Sequence, residues 1–276
     1  MNTKAFDTIL QKWRSSLPAS ISPAYFDAFV VRQRATLEAV IGTWLDRRAA
    51  RREREATAPA AESQTMKKRT ERNLRAMQLV ATKRPDAMSA DERRAVLGYS
   101  GWGGLSIEGV ADQFPPGLVP NEFALIHEYY TPTAVAEAIA DLVCPLLPEL
   151  AGLDGVVRAL EPTVGIGRLV RAMGPPRCLP DDHVKEVRWT AVELSQVSAK
   201  MFAAMRPDVE LFEMSVEKWM AEQAPRYQGT IGLILANPPY GQRGEFALQD
   251  KNAYYNEKAS YAYVMRRCLD LLVPRG

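Results

Sequence analysis

Val156-Val157-Arg158-Ala159-Leu160-Glu161-Pro162-Thr163-Val164-Gly165-Ile166-Gly167 decides the fold. The first five residues read as a strand, and the helical stretch 166–173 follows a turn with two glycines. A strand that passes through a glycine turn into a helix is the repeating unit of a parallel α/β sheet. The unit recurs downstream. Arg188-Trp189-Thr190-Ala191-Val192 reads as a second strand, Val209-Glu210-Leu211-Phe212 as a third, and the apolar run Ile231 to Ala236 as a fourth. Helical stretches over 195–206 and 215–223 separate them. The alternation predicts a Rossmann-like α/β sheet with helices on both faces and ligands beyond the carboxyl ends of the strands.

Upstream of about residue 120 the pattern is helical. Phe26, Phe29 and Val30, then Leu37, Val40, Ile41, Trp44 and Leu45, recur at three- and four-residue spacing, and Arg47, Arg48, Arg51, Arg52 and Arg54 follow. Residues 56–65 read as a linker. A second basic stretch runs from Lys67 to Arg84, and Ser89-Ala90-Asp91-Glu92 reads as the start of a helix that stops at Gly98. Three regions are therefore expected: an N-terminal helical region over 1–56, a basic linker and helices over 57–119, and an α/β domain over 120–276.

Net charge is +2, unevenly spread. Residues 1–76 hold 15 Lys/Arg against 8 Asp/Glu, a surplus of seven, which leaves the remaining 200 residues at −5. A basic arm on an acidic body suits a polyanion; a solvated helical face is the alternative reading. Cys144, Cys178 and Cys268 are odd in number and far apart, so neither a disulfide framework nor a metal site is expected, in keeping with a reducing cytoplasm. His127 and His183 are the two histidines, too few for a histidine-based metal centre. No apolar stretch reaches the roughly 18 residues of a membrane span.

Four segments carry chemistry. Gly165 and Gly167 let the backbone approach a ligand closely, and Glu161 stands just before them. Glu193 ends the second strand, where a carboxylate can take both hydroxyls of a ribose. Tyr129-Tyr130-Thr131-Pro132 places Pro132 at the first helical position with Thr131 as the expected N-cap, and a helix N-terminus can receive a carboxylate. Asn237-Pro238-Pro239-Tyr240 closes the fourth strand with an amide, two rigid prolines and an aromatic ring. That set can hold a planar, amine-bearing substrate.

Together these segments resemble the S-adenosylmethionine (SAM)-dependent N6-adenine DNA methyltransferases of the class in which the Thr-Pro segment and the SAM loop precede Asn-Pro-Pro-Tyr. The resemblance covers roughly 120–276. It implies SAM as cofactor, with Thr131, Glu161, Gly165 and Gly167 at its methionine part, Glu193 at its ribose, Ser215 and Val216 at its adenine, Asn237 beside the methyl group, and Tyr130 and Thr163 as further cofactor-binding residues. The Asp often found near Ser215 in that family is missing here. Ser100-Gly101-Trp102-Gly103-Gly104-Leu105 adds a narrower resemblance to methylases of mobile elements and phage-defence systems, and is expected to wall the SAM site; a glycine-rich turn with a packed Trp is the alternative.

The resemblance further implies a flipped-out target adenine stacked on Tyr240. Its N6 would bond to the Asn237 side-chain oxygen and the Pro238 carbonyl, and the methyl would pass directly, with no metal and no covalent enzyme intermediate. Residues 241–258 read as a mobile loop in which Arg243, Lys251 and Lys258 reach phosphate or are simply solvated. DNA is the expected partner, in restriction-modification, phage defence or mobile-element protection. Other amino-group methyltransferases, acting on protein glutamine, ribosomal guanine or cytosine N4, are the alternative class. The sequence shows four strands where such enzymes have seven. The chain is therefore also expected to be a fragment, a split enzyme needing a complementing chain or defence-system subunit over an exposed fourth-strand edge, or a non-catalytic SAM- or DNA-binding relic.

Overall fold

A computed structural model describes residues 3–15, most of 22–37, 65–120, 125, 128–174, 178, 184–239, 241 and 250–274. Among them, β1 (Val156–Glu161), β2 (Glu186–Glu193), β3 (Glu210–Glu213) and β4 (Leu233–Ile234) form one sheet in the order β3-β2-β1-β4, all pairs parallel. This is the usual order of the fold that the resemblance implies. Glu161 pairs in register with Ala191, and Glu193 with Glu213, so the carboxyl ends of β1, β2 and β3 all finish on a glutamate.

β4 is shorter than the apolar run from 231 to 236. Its pairing to β1 nevertheless reaches from the Gly232 N–H on the Arg158 carbonyl to the Leu235 N–H on the Leu160 carbonyl. The expected open edge of β4 is partly covered. Residues 271–273 run parallel to Ile231, whose N–H donates to the Leu271 carbonyl at 3.0 Å while the Val273 N–H donates back at 2.9 Å. From the sequence no further strand is expected after the fourth, so this short pairing is a finding of the structure.

In chain order the helices used below are α1 (Thr3–Ser15), α2 (Met66–Thr82), α3 (Ala90–Leu97), α4 (Thr133–Val143), α5 (Arg168–Ala172), α6 (Gln196–Met205), α7 (Val216–Glu222) and α8 (Ser260–Leu269). The described residues between 23 and 37 are also helical. Positions 40–54 and most of the expected linker lie outside the described residues. Ser89 and Glu92 make the reciprocal capping box at the start of α3, and Gly98 ends it, as the sequence indicates.

Alternation along the strands sends side chains to two cores. Val157, Ala159, Trp189, Ala191 and Leu233 pack with Ala136 and Ala140 of α4 and Leu169 and Val170 of α5. Leu160, Val192 and Ile231 pack on the other face with Trp219 and Met220 of α7 and Tyr263, Val264 and Cys268 of α8. A third cluster joins Leu74 and Met77 of α2, Val96 of α3, Tyr99 and Trp102 to Ile166, Val197 and Met201. It crosses the boundary expected at 119/120, so the α2–α3 layer and the α/β sheet share a core.

Cys144 and Cys178, expected to be free thiols, are joined as a disulfide, with their Cα atoms 5.3 Å apart. The end of α4 and the segment after α5 meet there, an approach that a separation of 34 residues does not reveal. Cys268 is free and buried.

Asn73 ties α2 to the loop after α3. It is fully buried; its Nδ2 donates to the Gly101 carbonyl at 2.7 Å, and its Oδ1 accepts from the Ser100 N–H at 3.0 Å and from the Ser100 hydroxyl at 3.2 Å. Asn73→Ala should lower unfolding free energy by about 3 kcal/mol, since it leaves buried groups unpaired. Urea denaturation measures this, and an unchanged midpoint would mean that water replaces the amide.

Candidate active site

A cleft opens at the carboxyl end of β1. Tyr129, Tyr130, Thr131, Glu161, Thr163, Val164, Ile166, Arg168, Leu169 and Asn237 line it. Three segments far apart in sequence thus converge: the Thr-Pro segment, the glycine turn and the end of β4. The enclosed part holds about 30 Å³, room for one or two waters, so a larger ligand has to lie across its open mouth.

The glycine turn is shaped by Gly165 and Gly167, at φ of +55° and +72°. A Cβ on Gly165 would stand 2.6 Å from the Tyr130 ring, and one on Gly167 would clash with Phe202 of α6. Both the left-handed conformation and the close approach demand glycine. Gly167 then caps α5, whose first residue, Arg168, reaches back to donate to the Thr131 carbonyl at 3.0 Å and the Tyr99 carbonyl at 3.1 Å.

Thr131 is not the N-cap that the sequence predicts. α4 begins at Thr133, with Pro132 in the N-cap place at φ −56° and ψ 139°. Pro132 itself keeps an extended backbone, and its carbonyl accepts the first helical bonds, from the Val135 and Ala136 N–H groups at 2.9 and 3.0 Å. The Thr131 hydroxyl instead accepts from Asn237 Nδ2 at 3.1 Å, and the Thr163 hydroxyl donates to the Asn237 carbonyl at 3.3 Å. The two threonines pin the exposed Asn237 at the mouth of the cleft. Pro238 and Pro239 follow, half-buried.

Glu193 does not line this cleft. Its Oε2 accepts from the Gly165 N–H and its Oε1 from the Ser195 N–H, both at 2.7 Å, so it braces the glycine turn from β2. Burial pushes its carboxyl up to about 7, against the pull of the Ser195 and Gly165 N–H groups and with a further push from Glu128. Ser215 caps α7 through the Lys218 N–H at 3.1 Å, and Val216 packs on the Trp219 cluster. Both sit beyond β3, on the same edge of the sheet as Glu193 and outside the cleft. Lys251 and Lys258 are exposed. Tyr240 and Arg243 lie outside the described residues.

Sequence reasoning missed Glu128, the residue that organises this region. It is 8% exposed, and four donors meet its carboxyl: the Tyr99 hydroxyl at 3.1 Å, the Trp102 N–H at 2.8 Å, the Tyr130 hydroxyl at 2.5 Å and the Ser198 hydroxyl at 2.9 Å. Burial and this neighbouring acid push the Tyr99 and Tyr130 phenols well above their ordinary value. The available signal was an acid inside the otherwise apolar and aromatic run 123–130.

The Gly-Trp-Gly-Gly turn is not a wall of the cleft. Trp102 is fully buried, with its ring centroid 4.9 Å from that of Phe114 and its indole N–H on the Met77 sulfur. The Gly103 N–H donates to the Glu128 carbonyl, and Arg69 of α2 grips the carbonyls of Gly101 and Gly103. The turn stands behind the Glu128–Tyr130 segment and fixes it. Arg69 is thereby used internally; Lys67, Lys68 and Arg75 of α2 are exposed, with the exposed Glu71 among them.

Among the described residues no helix is long and apolar enough to cross a membrane. No family model matches the chain, and no curated protein matches it. A solved structure from Listeria monocytogenes, provisionally described as a class I S-adenosylmethionine-dependent methyltransferase, is similar at 12% identity and a TM-score of 0.40, covering 70% of this chain and 54% of that one. The chain thus spans about half the length of that structure, and at this identity and score the likeness says nothing of ligand or activity.

Glu193 makes stability depend on pH. Its folded carboxyl, at about 7, holds a proton that the unfolded chain gives up nearer 4.5, so stability falls as pH rises through that window. Glu193→Gln, neutral throughout, should flatten the fall by at most about 3 kcal/mol. Urea stability measured at acid and neutral pH checks it, and identical slopes in mutant and parent would place the titration elsewhere.

Proposed function

We propose that the chain is the cofactor-binding and catalytic part of a SAM-dependent amino-group methyltransferase whose substrate is adenine N6 in DNA. The observation that carries this reading is Asn237, held at the end of β4 by Thr131 and Thr163 beside the glycine turn. The order Thr-Pro, glycine turn, Asn-Pro-Pro-Tyr in the sequence supports it.

The residues present suit SAM. Gly165 and Gly167 make a cradle that any side chain would fill. Glu161 brings a buried carboxyl with an unpaired oxygen to the cleft, a counter-charge for a cationic methionine part. That part lies across the open mouth of the cleft, and the rest extends along the strand ends toward Glu193 and Ser215. When bound, SAM supplies an electrophilic methyl group on a sulfonium.

What the chain itself does is bind and polarise the acceptor. With Nδ2 donated to Thr131, Oδ1 is the end of Asn237 turned to a substrate amine. An exocyclic amine is a poor nucleophile because its lone pair is delocalised into the ring. Hydrogen bonds from that amine to Asn237 Oδ1 and the Pro238 carbonyl localise the pair on nitrogen, and the surplus proton leaves after transfer. Stacking on Tyr240 contributes roughly 1–3 kcal/mol by analogy with single-strand binders. Positioning and local polarity supply the rate. Lys67, Lys68 and Arg75 on the outer face of α2 offer sequence-independent contacts to phosphate.

Asn237→Ala should abolish methyl transfer and leave SAM affinity nearly intact. Incubating the chain, alone and with candidate complementing chains, with labelled SAM and adenine-containing duplexes measures both. Near-parent N6-methylation in the mutant would end the mechanism, and labelled cytosine or glutamine as sole product would select the other amino-group class. For DNA binding, replacing Lys67, Lys68 and Arg75 by Ala should reduce the slope of log affinity against log salt by up to about 0.9 for each phosphate these side chains neutralise. An unchanged slope would assign those side chains to solvent.

A further inference from the structure

Glu161 ends β1 inside the cleft and is 3% exposed. Its Oε2 is fully buried and accepts no hydrogen bond. Among the described residues no cation faces it in compensation. Arg168, from α5, lines the same cleft, but its guanidinium is committed to the Thr131 and Tyr99 carbonyls. From β2 the charge that acts on Glu161 is a second carboxyl, Glu193, and Glu193 in turn feels Glu128. Tyr130, from the segment before α4, is a phenol whose own ionisation is suppressed by burial and by these acids. From the end of β4 comes the neutral Asn237.

A dry carboxylate with an unpaired oxygen, set among other acids, costs several kcal/mol to ionise. The neutral acid avoids that cost. Burial, more than the charge of Glu193, accordingly pushes the Glu161 carboxyl well above its ordinary range, with the Val170 N–H opposing. A cation in the cleft reverses the balance, because it pairs with the ionised form alone.

Resting on the SAM reading above, we infer that the cleft binds its cofactor with release of a proton, Glu161 being a neutral acid in the ligand-free protein and the carboxylate counter-ion of the bound cation. The O–H bond of the acid breaks, the proton passes to solvent and no electrons are exchanged. The sign follows from linkage. The free protein holds a proton that the complex lacks, so affinity rises with pH by up to about tenfold per unit, until the ligand-free acid is itself ionised. The site is therefore selective for charge as well as shape. The sulfonium cofactor carries one positive charge more than the thioether left after methyl transfer, so the pocket holds the product less firmly than the donor.

Titration calorimetry of SAM into the full chain near neutral pH, in phosphate, imidazole and Tris, counts the proton through the dependence of heat on buffer ionisation enthalpy. About one proton released is expected. Glu161→Gln should bind with no buffer dependence. Difference infrared spectra of the parent protein should show a carboxylic-acid band lost and carboxylate bands gained when SAM is added. Binding without buffer dependence, release undiminished in Glu161→Gln, or an unchanged carboxylic-acid band would each overturn the inference and leave the SAM reading standing. Absence of SAM binding in every buffer would overturn both.

Discussion

The burial of one carboxyl group, that of Glu128, constrains everything around the cleft. Such a group leaves water only where its oxygens are matched by donors. The donors come from three places: Tyr99 and Trp102 in the turn after α3, Tyr130 two residues on, and Ser198 on α6. Satisfying Glu128 therefore fixes the Gly-Trp-Gly-Gly turn, lays the Tyr130 ring against Gly165 and sets α6 against both. Arg168 completes the frame from the far side by holding the Tyr99 and Thr131 carbonyls. Thr131 and Asn237 then meet as a consequence of that frame.

The strand pattern and the capping box are local or periodic features, and those were legible in the sequence. So was the pair of glycines after β1, whose positive φ values and close contacts leave no room for a side chain. What was not legible is long-range. Glu128 finds partners at 99, 102 and 198, and Arg69 finds Gly101 and Gly103, through folding rather than spacing. Cys144 and Cys178 follow no pairing pattern. Thr131 departs from its sequence reading for a different reason: a Thr-Pro pair reads as cap and first turn, yet Pro132 stays extended and takes the N-cap place itself, so the helix starts at Thr133. That leaves the hydroxyl available to Asn237. The basic arm was legible as charge but not as structure, since Arg69 serves the loop beside it rather than a surface.

The carboxyl edge of the sheet is an acidic rim, with Glu161, Glu193 and Glu213 at the ends of three adjacent strands. The exposed lysines and arginine of α2 lie on a separate layer. The acidic strand ends and the exposed basic side chains of α2 thus occupy different surfaces. Glu193 belongs to the rim by position and to the glycine turn by its hydrogen bonds, and a ligand that engages it acts on the turn as well.

The shared cluster of Leu74, Met77, Tyr99 and Trp102 with Ile166, Val197 and Met201 has a dynamic consequence. Local opening proceeds in cooperative units defined by packing and not by sequence order. α2, the Gly-Trp-Gly-Gly turn, the glycine turn after β1 and α6 form such a unit here. Their amides exchange with solvent through common openings, so occupancy of the cleft is recorded as slowed exchange along α2, a helix that stands behind the cleft and contributes no residue to its lining.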